Sequence, residues 1–318
     1  MSGAGNPWDD AGRFAARRYL PSLQRETTPL FAMTALDAGL GQQVAAAWAA
    51  TLAWPDGTAA HADEVVLCAS AREALALGLG GLLAPDDVVL VARPTATDAL
   101  AAVLGRGAGF VDIGRLHDGE VDPQAAARAA DRHPAAVAFV EAPSLMADDD
   151  LDAWAAIAVR ARVVDLRHAG WPARLPAADA TLLALRDPED PARPLLWAVV
   201  ARREAAALLA VIGGAAEFPV GVLARAAGLL RSLAADPAWA TAALARLAER
   251  ARALRDLAAA HPGGRLHAAG PLRVVASCAA GDADVVATRW RPHAVAVAAY
   301  GDHPMRHLAV AELDPCGP

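Results

Sequence analysis

The chain of 318 residues contains no lysine: each of the 29 positions in its Lys and Arg count is arginine. A side-chain amine is therefore missing, and with it imine chemistry, because a guanidinium stays protonated and delocalised at ordinary pH. Aromatic residues are few, with two tyrosines, Tyr19 and Tyr300, and five phenylalanines. Cysteine is limited to Cys68, Cys278 and Cys316, an odd number without zinc or disulfide spacing, as expected of a cytoplasmic protein. No apolar run reaches the ~18 residues a membrane span requires. Asp9, Asp10 and Arg13 precede any apolar block, unlike a secretory signal. A net charge of −7 disfavours nucleic acid, whose recognition needs a basic face.

The rest is largely aliphatic. A hydrophobic share of 55% against 20% charged describes a globular chain, and its length suits one large domain with a smaller one. Continuous apolar runs stand at VVLC (65–68), VVLVA (88–92), GFVDI (109–113), AAVAFVE (135–141), RVVDL (162–166), ATLLAL (180–185) and LLWAVVA (195–201). Such runs predict strands buried on both faces. Helix-like segments lie between them, AREALALGLGGLL, PTATDALAAVLGRG, DPQAAARAADRH and DDDLDAWAAIAVRA. Strand and helix in alternation predict an α/β architecture, a seven-stranded, mainly parallel sheet sandwiched by helices. After about residue 215 the pattern changes. Two helices separated by Asp236-Pro237 come first, the second carrying Leu244, Leu247, Leu254 and Leu257 on one stripe. PLRVVASC, ADVVATRW, AVAVAAY and HLAVAEL then read as short strands of a small α+β domain. The expected division is an N-terminal arm (1–40), a large domain (41–215) and a small C-terminal domain (216–318).

In open parallel sheets, ligands collect at the carboxyl ends of the strands. The first strand delivers Ser70, Ala71 and Arg72 there, opening a helix with free backbone N–H groups. The second delivers Arg93-Pro94-Thr95-Ala96, the fourth Glu141, the fifth Asp165-Leu166-Arg167-His168, and the sixth Arg186.

Five short stretches in this order resemble the fold-type-I pyridoxal-phosphate enzymes, the aspartate-aminotransferase-like superfamily. They are Ser70-Ala71-Arg72-Glu73-Ala74-Leu75, LLAPDDVVLVARPTA, Asp118-Gly119-Glu120-Val121-Asp122, Val163-Val164-Asp165-Leu166-Arg167-His168, and Gly301 to Val310. The resemblance covers roughly residues 37 to 312. It implies a cofactor phosphate cradled at Ser70, Ala71 and Arg72, Asp165 facing the pyridine nitrogen, and Arg306 gripping a substrate carboxylate. It also implies a lysine after the sixth strand, holding the cofactor as a Schiff base; ATLLALRD places Arg186 there. The stacking tyrosine of such enzymes is Ala96 here, and EAPSLMAD lacks their asparagine. The chain therefore resembles a degenerate, lysine-less member.

His168 is the acid–base candidate, since an unperturbed imidazole titrates near pH ~6.5. Asp165 is either a pocket carboxylate or a turn residue paired with Arg167. Arg186 is either a fixed cation for an anionic ligand or a partner of Asp187 or Glu189. Cys68 reads as core, and the His303, His307 pair lies in a strand-like region where no metal site is expected. The functional expectation is a repurposed, cofactor-independent enzyme or binding protein for an anionic, amino-acid-like molecule of a specialised natural-product pathway, performing a lyase, cyclase or transferase step. The alternative is a non-catalytic partner subunit of an active relative. A third reading has free pyridoxamine phosphate bound without a lysine, with His168 as base. No covalent cofactor and no metal are expected. The expected partners are an anionic small molecule and a second subunit, in a homodimer or heterodimer.

Overall fold

The computed structural model describes residues 33–92, 95, 97–113, 123–141, 157–169, 174–187, 190–213 and 218–239. Beyond these it describes scattered positions from 241 to 260 and residues 265–269, 273–277, 283–291, 296–299 and 308–312. In chain order the first elements are helix α1 (Met33–Ala49), strand β1 (Val65–Cys68), α2 (Ala71–Gly78), β2 (Val88–Val91), α3 (Thr97–Gly105) and β3 (Gly109–Asp112). There follow α4 (Pro123–Arg132), β4 (Val137–Glu141), β5 (Ala161–Asp165), β6 (Ala180–Asp187), β7 (Asp190–Ala201), α5 (Arg203–Gly213) and α6 (Val220–Ala235).

The seven strands form one sheet in the order β1-β7-β6-β5-β4-β2-β3. Pairing is parallel from β3 through β2, β4 and β5 to β6, and β7 runs antiparallel to both β6 and β1. Each of the seven apolar runs is a strand. Their lack of polar alternation has a direct cause, because every residue of β4 and β6 is buried. Successive side chains alternate between two cores. Leu90, Ala138, Val164 and Leu183 point to the side covered by α1, α4 and α6. Val89, Val91, Phe139, Val163 and Leu182 point to the side covered by α2, α3 and α5.

Helix α1 crosses the expected 40/41 boundary, with Leu40, Val44 and Trp48 in the first of these cores. Helix α6 begins after residue 215, yet Leu223, Ala226, Ala227, Leu229 and Leu230 bury against that same core. Most of the next helical stretch, including Leu244, Leu247, Leu254 and Leu257, lies outside the described residues.

A second, antiparallel sheet is built from β8 (Arg265–Ala269), β9 (Arg273–Ser277), β10 (Ala296–Ala299) and β11 (Leu308–Glu312), in the order β10-β11-β9-β8. Here one expectation is corrected. ADVVATRW is not a strand but helix α7 (Ala283–Trp290). Val285, Thr288 and Arg289 are exposed while Trp290 is buried; exposure at i, i+3 and i+4 follows the helical period rather than the two-residue period of a strand. Strand β8 lies just ahead of PLRVVASC, in a stretch where the sequence predicts no strand. No helix among the described residues is long and apolar enough to cross a membrane.

A candidate ligand site at the carboxyl edge of the sheet

Strands β4 and β5 run side by side with Glu141 opposite Asp165 at their carboxyl ends. Both continue the parity of Val137, Phe139 and Val163, so both belong to the face covered by α2 and α3. Beyond Asp165 the chain makes a tight turn in which Ala169 N donates to the Leu166 carbonyl at 3.0 Å, with Arg167 and His168 at its centre. The Arg167 amide donates to Asp165 Oδ1 at 3.0 Å, the turn in which an aspartate accepts from the backbone two residues on.

The guanidinium of Arg167 folds back onto the same carboxylate. Nε lies 2.9 Å from Oδ1 and 3.0 Å from Oδ2, and Nη2 lies 2.7 Å from Oδ2. This is a two-pronged, charge-assisted contact, and it is closed to water: Asp165 is 1% exposed and Arg167 3%. Nη1 reaches the Ala71 carbonyl at the start of α2 (3.3 Å) and Asp98 in the first turn of α3 (3.5 Å). Burial opposes the charge on Arg167, but Asp165 above all, then Asp98 and Glu141, hold it firmly protonated.

Arg186 stands near the end of β6, where β-bulges interrupt its pairing with β7. It is 5% exposed, and its Nε and Nη2 both donate to the Arg167 carbonyl, at 3.2 and 3.0 Å. From sequence it is a ligand cation or a partner of Asp187 or Glu189; in the structure its guanidinium is held on the backbone of the Arg167 turn. His168 is half-buried beside the pair. Ser70 caps α2, accepting from Glu73 N at 3.1 Å, while Glu73 reaches back to Ala69 N at 2.7 Å. Ser70 and Arg72 are exposed and Ala71 is half-buried. Arg306, His303 and His307 lie outside the described residues, as do Ala96 and the segment after Glu141.

So the structure brings Asp165, His168, Arg186, Ser70, Ala71 and Arg72 to one edge of the sheet. The residue that links them is Arg167, which the sequence reading treated only as a possible partner of Asp165. Its signal was the spacing, since residues i and i+2 leaving a strand start on one face. Cys68 ends β1 fully buried, its thiol pushed up to about 12, mainly by burial and secondarily by Glu73. No metal-binding group of histidine, cysteine and carboxylates occurs among the described residues.

Solved structures resemble this arrangement of strands and helices. Aspartate aminotransferase from Thermus thermophilus, solved with maleate, superposes with a TM-score of 0.67 at 18% identity, over 97% of this chain and 84% of that one. The fold is aminotransferase-like. N-succinyldiaminopimelate aminotransferase from Mycobacterium tuberculosis gives 0.63 at 18% identity, covering 98% and 93% of the two chains. The PLP-dependent cyclase OrfR gives 0.64 at 20% identity, covering 87% and 78%. No protein-family model and no curated protein matches the sequence.

Both oxygens of the carboxylate that would face a pyridine nitrogen are taken by Arg167. The end of the sixth strand offers a buried guanidinium in place of an amine.

Proposed function

We propose that this protein is a non-catalytic, aminotransferase-like subunit that forms no Schiff base and works by pairing with an active relative. The observation that carries this reading is the state of Arg186. The cation in the expected place of the lysine is buried, and it is bonded to the backbone of the turn beneath it. An arginine fixed in this way stabilises the site and has no proton to give or take at physiological pH. Fold-type-I resemblance supports dimeric assembly, in which an inactive copy lends surface to an active one. A division into arm, large domain and small domain, with α1 and α6 packed on the large sheet, and a cytoplasmic setting belong to the same proposal.

The test is direct. Purified protein is mixed with pyridoxal phosphate, treated with borohydride, desalted and weighed by mass spectrometry. No visible absorption band and no cofactor-sized adduct should remain. A stoichiometric adduct at an internal residue would overturn the reading.

The exposed Ser70 and Arg72 at the opening of α2 favour a second reading. In it the edge binds an anionic, amino-acid-like molecule of a specialised pathway, with Arg306 as a further cation and His168 as acid or base. An anion that raises the melting temperature of the wild type, but not of Arg72→Ala, would select this reading over the first.

A further inference from the structure

We infer that Arg167 is a resident ligand of the sheet-edge site: its guanidinium makes with Asp165 the contact that a flat cation from solution would otherwise make. The argument starts from the surroundings of that group. A guanidinium among the first turns of two helices sits where the backbone favours anions rather than cations. Among the described residues, the groups that hold it there are acceptors. Asp165 takes it in two-pronged fashion, Asp98 lies 3.5 Å from Nη1, the Ala71 carbonyl lies 3.3 Å away, and Glu141 adds its charge from the next strand.

Subtracting the Arg167 side chain leaves a slot with no donor among these groups and with more than one negative charge. Its carboxylates carry full charges and outweigh the two helix N-termini, worth roughly half a charge each, so the slot disfavours phosphates and carboxylates. It selects a planar cation with several N–H groups, of the guanidinium or amidinium class. An uncompensated buried carboxylate is strongly unfavourable, so the truncated protein gains much by taking one up. The other end of the residue is also held, because its carbonyl accepts both contacts from Arg186. Arg167 is thus fixed at backbone and side chain, and the site is closed by the chain itself. This inference is independent of the missing lysine: the borohydride result and the experiment below can each fail alone.

The experiment compares the wild type, Arg167→Ala and the double variant Arg167→Ala with Asp165→Asn, melted with ~10 mM methylguanidinium chloride or with sodium chloride at equal ionic strength. Arg167→Ala should melt below the wild type and recover by about 5 °C or more with methylguanidinium, as linkage to a filled site requires. The wild type and the double variant should not respond. If Arg167→Ala does not fold by itself, its refolding yield should rise several-fold with methylguanidinium and not with sodium. Equal stabilisation of the wild type, or no response from Arg167→Ala in either format, would overturn the proposal.

Discussion

Asp165 and Arg167 are each costly alone and tolerable together. Taking either charge out of water is unfavourable, and only the two-pronged contact offsets it. Arg167→Leu should therefore lose roughly 3–5 kcal/mol, because it leaves Asp165 buried and unpaired. Adding Asp165→Leu should recover much of that loss, and urea unfolding of the three proteins measures both steps. Cys68 gives a residue-scale prediction in pH. Its thiol titrates near 12 in the folded state against roughly 8.5 in an unfolded chain. The folded protein then holds the proton more tightly, so this contribution is complete below about pH 8.5 and is lost as pH rises from there toward 12. Alkylation followed by peptide mapping at pH 8 should find Cys68 unmodified in native protein and modified in urea. That Cys68 belongs to the core was legible from the apolar run it ends. The pairing of Arg167 was legible only as one of two options for Asp165, since spacing says which side chains begin on one face and not which of them turn inward.

At the scale of elements, helix α2 lies close against the sheet, and Gly78 is the reason it can. A Cβ there would meet Leu182 Cδ2 at 2.3 Å and Val199 Cγ1 at 3.2 Å, both on residues fully buried in the sheet. Gly78→Ala should cost about 1–3 kcal/mol through overpacking. Gly221, in the first turn of α6, meets nothing within 4 Å. Gly221→Ala should be neutral or stabilising by about 0.4–1 kcal/mol, because alanine reduces the entropy of the unfolded chain. Thermal melts of the two variants against the wild type check the contrast, and both shifting downward by equal amounts would contradict it. The seven strands of the large sheet could be read from the sequence as continuous apolar runs, a signature that burial on both faces explains for β4 and β6 but not for the edge strand β3, which is largely exposed. Helix α7 could not, since Val285-Val286 looks strand-like in eight residues and only the burial of Trp290 on one side reveals the period.

At the scale of the molecule, the two sheets differ in kind: one is mixed and sandwiched by helices, the other antiparallel and four-stranded. The proposed subunit role predicts that the protein sediments as a dimer when made alone, or joins one-to-one with an active aminotransferase-like relative when the two are made together. Light scattering on the purified species reads either outcome, and a monomer under both conditions would remove the partner reading. The sequence by itself determined that no lysine is available for an imine, that seven apolar strands are interspersed with helices, and that Asp165, His168 and Arg186 arrive at one end of them. Composition and hydrophobic period are local properties, so they can be read along the chain. Tertiary structure alone decided that the Arg186 guanidinium meets the carbonyl of Arg167, residues 19 apart in sequence, and that Arg167 lies between Asp165 and the openings of α2 and α3. Those contacts depend on which strands are neighbours and on how a turn folds back over them, and no local pattern in the chain encodes either.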